Sequence, residues 1–94
     1  MNKYESVIII NPNLEGEAMK ALVDKFSDLI NSDGKVASVN DLGKKKLAYP
    51  IKKQTEGNYV EFKFEAAPKL IAELERNYRI TDEVIKFIVI KEEE

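Results

Sequence analysis

The chain has 94 residues, of which 44% are hydrophobic and 34% charged, and its net charge is −2. This length and apolar content suit one folded domain, which we expect to span residues 1–94, and exclude wholesale disorder. Because cysteine and histidine are both absent, a disulfide framework, a thiolate zinc site and the commonest general base are excluded. The N-terminus lacks a basic region followed by a long apolar run, so we expect a cytoplasmic protein that is neither exported nor inserted into a membrane.

The charges are distributed unevenly along the chain. The stretch LGKKKLAYPIKK, residues 42–53, contains five lysines and no acid, and we call it the basic arm. The rest of the sequence carries ten basic against seventeen acidic residues, a balance of −7. An acidic balance disfavours a general nucleic-acid binder, which raises its affinity by neutralising many phosphates. The basic arm is therefore a local feature of an acidic domain.

The first third of the chain predicts a strand followed by a helix. The β-branched run in YESVIIINPN predicts a strand over residues 3–10, and residues 11–13 give a turn signal that also offers a helix cap. From Glu15 the apolar residues recur at spacings of three and four, which predicts a helix with one apolar face. Its members are Met19, Leu22, Val23, Phe26, Leu29 and Ile30. Gly34, in SDGK, predicts that this helix ends in a left-handed residue.

The middle of the chain predicts a hairpin. The segment KVASVNDLG alternates imperfectly and LAYPI alternates cleanly, so the change of phase near Gly43 predicts a bulged or bent strand. Turn signals follow in KKQTEGN. The run YVEFKFE then places Val60, Phe62 and Phe64 on one face of a strand. Its opposite face carries Tyr59, Glu61, Lys63 and Glu65.

The last third predicts a short helix and a final strand. Pro68 suits the first turn of a helix whose apolar face contains Leu70, Ile71, Leu74 and Tyr78. The run VIKFIVIK, residues 84–91, predicts a strand that is apolar on both faces, before the solvated acidic end at residues 92–94. This order of elements predicts the α+β class with a ferredoxin-like βαββαβ fold. Its four-stranded antiparallel sheet carries both helices on one face.

That fold leaves one face of the sheet uncovered. Val7, Ile9, Ile88 and Ile90 alternate with residues expected in the core, on two strands that we expect near the centre of the sheet. We therefore expect some exposed apolar surface on this face. It is either the ordinary apolar surface of a soluble protein or a contact with a protein partner.

The sequence predicts no catalytic residue, no metal site and no cofactor. The four glycines are dispersed, so there is no Walker loop or dinucleotide fingerprint. The acids lie mostly at expected exposed helix positions or turns, and TDEV, residues 81–84, is explained by a turn. An RNA-recognition motif exposes aromatic rings on its third strand, but here Phe62 and Phe64 share the core face of Val60. Only Tyr59 points outward there, so we do not expect base stacking on the sheet.

Several segments carry a family resemblance over essentially the whole chain. They are KYE near the start, IIINPNL, the pair LG with a basic run and LAYPI, G-YV-F-F, and RNYRITDEVIKFIVIK. Together they resemble the family of the sixth protein of the bacterial small ribosomal subunit. LAYPI is the most specific segment, because alternate apolar residues surround a proline that cannot donate to a sheet ladder. The chain ends at residues 92–94, so no contact is expected from the longer C-terminal tail of some members.

The resemblance implies a non-catalytic ribosomal protein. It joins the eighteenth small-subunit protein and binds with it to the central domain of small-subunit ribosomal RNA, with no membrane and no small-molecule substrate. The physical interpretation agrees, because an acidic surface with exposed apolar strands favours a basic protein partner. A lysine arm favours phosphate contacts without base reading.

The candidate binding residues follow from the basic arm and the open sheet face. The expected RNA contacts are Lys44, Lys45, Lys46, Lys52, Lys53 and Arg79. The lysines lie on both sides of an expected bend at Tyr49 and Pro50, and their alternative role is to keep an exposed hairpin soluble and protect its edge. Arg79 suits either a phosphate or a nearby carboxylate such as Asp82.

A further set is expected at a partner or RNA surface. Its members are Tyr4, Tyr49, Ile88 and Ile90. For both tyrosines a packed ring is the alternative. A function from a different class also fits the fold, namely a regulatory domain that binds a small ligand and oligomerises through its sheet. Ribosomal-RNA binding predicts co-purification with ribosomes, whereas the regulatory domain predicts a free pool with a ligand.

Overall fold

The secondary structure follows the predicted order. The computed structural model describes residues 2–51 and 53–92. Within these ranges the elements are β1 (Asn2–Ile10), α1 (Gly16–Asn31), β2 (Gly34–Ile51), β3 (Gln54–Ala66), α2 (Pro68–Ile80) and β4 (Val84–Lys91). The strands of the described residues form one antiparallel sheet in the order β2-β3-β1-β4. The predicted ferredoxin-like fold is confirmed. β4, however, is an edge strand and does not lie near the centre of the sheet as expected.

The main core lies between the two helices and one face of the sheet. Alternate residues of β1 and β3 point into it, and every third or fourth residue of each helix meets them. Its largest fully buried side chains include Tyr78, Phe26, Phe62 and Phe64. Burying each such side chain contributes roughly 1.5–3 kcal/mol before entropy is counted. The predicted core faces of α1, β3 and α2 are confirmed.

One polar pair is sealed inside this core. The hydroxyls of Ser6 and Tyr78 are hydrogen-bonded, with 2.9 Å between Oγ and Oη, and both residues are buried. Burial raises the pKa of the Tyr78 phenol, an effect that the hydrogen bond to Ser6 partly opposes. The Tyr78 ring also meets Phe26 edge to face, with 4.8 Å between centroids. The pair joins β1 to α2 across the core.

The ends of α1 differ from the prediction. Glu15 is the N-cap, and no side chain of the described residues caps the helix there; the Asn11 Oδ1 instead accepts a bond from the Asn13 backbone N–H at 2.9 Å. Gly34 is the first residue of β2 and has no positive φ, so the expected left-handed helix end is wrong. Glycine is required there for a different reason. A Cβ at this position would collide with the backbone oxygen of Glu65 on β3.

The bulge predicted near Gly43 is confirmed. The register between β2 and β3 shifts between Asp41 and Gly43, and Gly43 has a φ of 83°. The Asp41 Oδ1 accepts a hydrogen bond from the Gly43 backbone N–H at 2.8 Å, which fixes the kink. This bulge changes which side chains of β2 face each side of the sheet.

Candidate nucleic-acid interface and open sheet face

The basic arm lies on the long hairpin formed by β2 and β3. Their pairing runs from Gly34 opposite Ala66 to Ile51 opposite Gln54. The chain therefore reverses between Ile51 and Gln54, and Pro50 lies within β2. The register shifts between Lys46, opposite Glu56, and Ile51, opposite Gln54, so the bend expected at Tyr49 and Pro50 falls within an irregular part of the strand. β2 is an edge strand, where a residue without an N–H is tolerated.

The hairpin does not bring the lysines of the basic arm to one face. The Lys44 Nζ lies 3.7 Å from the Glu15 Oε1, at the start of α1 on the helix side. The Lys45 Nζ lies 5.6 Å from the ring centroid of Tyr59, which belongs to the open face. Lys46 and Lys53 are exposed, and Lys52 lies outside the described residues. Glu15 partly offsets the charge of Lys44, so Lys45 and Lys46 are the more available pair.

The side chain of Tyr49 is exposed and contacts the ammonium group of Lys86. Its side chain is 60% exposed, so the packed alternative does not apply. The Lys86 Nζ donates a hydrogen bond to the Tyr49 Oη at 3.3 Å and lies 5.7 Å from the ring centroid. Lys86 of β4 therefore contacts a residue of the basic arm.

Tyr4 belongs to the core. It is 7% exposed and stacks on Phe64, with 5.7 Å between centroids and 27° between ring planes. The Asn2 Nδ2 donates a bond to its hydroxyl at 3.3 Å. Of the two alternatives for this ring, the structure supports the packed one. We therefore place Tyr4 in the core and not at a binding surface.

Arg79 lies beside the outer edge of β4. Its Cζ is 5.8 Å from the centroid of the Phe87 ring, and the side chain is exposed. Among the described residues it forms no ion pair with Asp82 or any other carboxylate. The other arginine of the chain, Arg76, pairs with Glu73 at 3.4 Å. Arg79 and Lys86 both line one shallow cavity beside β4.

The sheet face opposite the helices has a covered half. In the described residues, Ile9, Leu47 and Ile85 form a small cluster separate from the main core, with Ile51 and Tyr59 packed on it. Leu47 and Ile51 come from the basic arm, so the clean alternation in LAYPI serves to cover this part of the sheet. Ile9 was expected to be exposed, and it is buried here.

The other half of this face is open. On it Val7 pairs with Ile88, and Glu5 pairs with Ile90, across β1 and β4. Ile88 and Ile90 are 49% and 55% exposed, which confirms the expected apolar surface. Glu61 of β3 lies opposite Val7 on its other side. We call these residues the open sheet patch: Glu5, Val7, Glu61, Ile88 and Ile90.

Two carboxylates of the open sheet patch interact directly. A hydrogen bond between the side chains of Glu5 and Glu61, together with partial burial, raises the pKa of Glu5. The same bond lowers the pKa of Glu61, as does the Asn40 Nδ2, which donates to the Glu61 Oε1 at 3.1 Å.

Sequence reasoning did not single out Glu5, Glu61 or Lys86 as functional. Alternation placed Glu61 on the outward face of its strand, but the residue it meets depends on the register between strands. Lys86 reaches Tyr49 only because the hairpin returns over the end of the sheet. Alternation could have identified all three as outward-facing residues, because their neighbours on the inward face of each strand are apolar.

The described residues contain neither a metal-binding group of acids nor a helix that could span a membrane. In residues 2–51 and 53–92 no three Asp or Glu side chains converge as a metal site would require. Neither α1 nor α2 is long and apolar enough to cross a membrane.

Comparison with known proteins gives one consistent family. The family model for ribosomal protein S6 matches residues 3–91. Small ribosomal subunit protein bS6 of Clostridium novyi is 47% identical over 94 residues, covering 99% of each chain. The bS6 protein of Clostridium perfringens is 46% identical over 95 residues, covering 100% of each.

A solved structure agrees with these relatives. The crystal structure of 30S ribosomal protein S6 from Thermotoga maritima superposes with a TM-score of 0.91 and 35% sequence identity. The match covers 97% of this chain and 87% of that one. Similarity of sequence and of fold thus extends over all the elements described above. The chain belongs to the ribosomal protein S6 family.

Proposed function

We propose that the protein is a non-catalytic structural constituent of the small ribosomal subunit in the cytoplasm. In this role it binds the central domain of small-subunit ribosomal RNA together with the eighteenth small-subunit protein. The observation that carries the proposal is the family match over residues 3–91. We also propose that residues 1–94 act as one domain, which is supported by a main core built from both helices and the sheet.

The open sheet patch is suited to the protein partner. Ile88 and Ile90 expose about half of their surface beside Val7, and no element of the described residues covers them. The acids Glu5 and Glu61 lie next to this apolar strip. A basic partner with apolar side chains complements both properties, and complementary charge raises the rate and specificity of association.

The basic arm and the edge of β4 are suited to the RNA. Lys45, Lys46 and Lys53 are exposed, Lys86 of β4 contacts Tyr49 of the basic arm, and Arg79 is exposed at the end of α2. Lysine supplies a point charge that positions a phosphate backbone without reading bases. Phe62 and Phe64 are buried, which argues against the stacking mode of RNA-recognition motifs.

Sedimentation of cell lysate tests this proposal. We expect a tagged form of the chain to sediment with small ribosomal subunits at low salt and to be released by a high-salt wash, since its RNA contacts are mainly ionic. A free pool that retains a bound small ligand and never sediments would contradict the proposal. That outcome would support the ligand-binding regulatory domain.

A further inference from the structure

We propose that Lys86 is a positioning residue for the basic arm. Its contact with Tyr49 holds the arm across the open face of the sheet, in the position from which the lysines of the arm bind RNA. In this role Lys86 acts through Tyr49 and not through a contact of its own with RNA. The inference rests on the proposed RNA binding by the basic arm and specifies what fixes the arm in place.

Backbone pairing does not fix the position of the arm. The register of β2 against β3 passes from Lys46 opposite Glu56 to Ile51 opposite Gln54. Five steps along β2 therefore match two steps along β3, and residues 47–50 depart from the regular ladder. The direction of this segment is consequently set by its side chains.

Apolar side chains direct the arm over the sheet. Leu47 packs with Ile9 of β1 and Ile85 of β4 in the small cluster that is separate from the main core. Ile51 packs on the same cluster. β2 and β4 are the two edges of the sheet, with β3 and β1 between them. Neighbouring strands lie about 4.8 Å apart, so these edges are separated by about 14 Å, and the arm crosses the two inner strands to reach β4.

The contact between Lys86 and Tyr49 holds the far end of this crossing. The Lys86 Nζ lies 3.3 Å from the Tyr49 Oη and 5.7 Å from the ring centroid. The tyrosine side chain is mostly exposed, so burial contributes little to holding it there. Among the described residues Lys86 forms no ion pair, and its ammonium is directed to the tyrosine. A cation–π contact with a hydrogen bond at an exposed site shifts a local equilibrium by about threefold or more.

The position of the arm determines how its lysines meet RNA. The Lys45 Nζ lies 5.6 Å from the ring centroid of Tyr59, and this ring packs on the same small cluster. The place of Lys45 therefore depends on the arm lying across the sheet. The apparent Kd of a binding site equals its intrinsic Kd divided by the fraction of molecules in the competent conformation. Releasing the arm thus weakens RNA binding without removing a phosphate contact.

The variant Lys86→Met tests the inference, because methionine keeps an unbranched apolar side chain and lacks the ammonium. The nuclear Overhauser effect between methyl groups of Leu47 and Ile85 reports the fraction of molecules with the arm in place. We expect its intensity to fall to about a third, and the Kd for a labelled central-domain RNA fragment to rise about threefold, with the eighteenth small-subunit protein present throughout. The salt slope of binding should not change.

Two further variants serve as controls. Lys91→Met removes the same charge from the same strand and should change neither the nuclear Overhauser effect nor the Kd. Lys86→Arg should behave as the unmodified protein, because a guanidinium also binds over an aromatic ring. Circular dichroism confirms the fold of each variant.

A double variant separates positioning from direct contact with RNA. In Tyr49→Leu the lysine has already lost the ring and the hydroxyl, so adding Lys86→Met should not weaken RNA binding further. An additional loss of about threefold in that background, or a salt slope reduced by about 0.9 in Lys86→Met, would show that Lys86 binds a phosphate itself and would overturn the inference.

The remaining outcomes separate the inference from the proposed function. An unchanged nuclear Overhauser effect in Lys86→Met, or a weakened one with an unchanged Kd, would overturn the positioning role alone. Lys86 lines a cavity with Val7 and Ile88 of the open sheet patch, so pairing with the eighteenth small-subunit protein is measured as well. Weaker pairing in Lys86→Met would assign the residue to the protein contact and overturn the inference. Failure of the unmodified protein to bind the RNA together with its partner would overturn the proposed function too.

Discussion

Substitution of Ile88 is the sharpest test of the open sheet patch, because the residue is half exposed at the centre of its apolar strip. Burying an isoleucine completely contributes about 1.5–3 kcal/mol. Ile88 is 49% exposed, so covering the rest contributes about 1 kcal/mol to pairing. We therefore expect Ile88→Ala to weaken pairing about fivefold. In Ile88→Asp, pairing would also bury the new carboxyl group without a hydrogen-bond partner, which adds about 1–3 kcal/mol to the loss of binding free energy. The total of about 2–4 kcal/mol corresponds to a loss of about thirtyfold to several-hundredfold.

Calorimetry with the purified basic partner measures both effects. Ile80→Asp is the matched control, because Ile80 is 62% exposed and lies at the end of α2 in the helix layer. It should pair as the unmodified protein does. Circular dichroism and thermal melts show whether each variant keeps its fold. A folded Ile88→Asp variant with an unchanged Kd would refute the assignment of this face to the partner.

The remaining predictions concern the basic arm and the core. Changing Lys44–Lys46 together to glutamine should leave protein pairing intact and reduce the salt slope of ribosomal-RNA assembly by up to about 0.9 per lost phosphate contact, if the site is duplex-like; an unchanged slope would assign these lysines to solubility alone. The matched control changes three helix lysines, Lys20, Lys25 and Lys69. Ser6→Ala should destabilise the fold by about 1–3 kcal/mol in urea unfolding, because it leaves the buried Tyr78 hydroxyl without its partner. Adding Tyr78→Phe should recover part of this loss, and strict additivity of the two changes would contradict the hydrogen bond.

The fold was predictable because local signals and burial agree along most of the chain. In YVEFKFE the period of two identifies the buried face directly, since only one face of β3 meets the helices. Tyr4 has the same phase as Ile8 and Ile10, so its burial was also readable from alternation. Ser6 lies on the same inward face and interrupts the apolar pattern. Its burial could not be predicted locally, because its hydroxyl is hydrogen-bonded to Tyr78 in a distant part of the chain.

The candidate site was less predictable because it depends on the register between strands. The contact of Lys86 with Tyr49 follows from where the hairpin turns and where β2 bulges, and the proximity of Glu5 to Glu61 follows from the register of β1 against β3. Both are settled by packing of the whole sheet and not by local sequence. Gly34 illustrates a related ambiguity. A helix end and a close contact between strands both require the absence of a Cβ, so the sequence alone does not distinguish them.

The most direct test of the proposed function is an RNA titration. A labelled fragment of the central domain of small-subunit ribosomal RNA is titrated at one salt concentration with this protein, with the eighteenth small-subunit protein, and with their mixture. We expect weak binding by this protein alone, because its net charge of −2 gives little long-range attraction, and the tightest binding by the mixture. Binding by this protein alone that equals binding by the mixture would contradict the proposed division between a protein-binding sheet face and an RNA-binding arm.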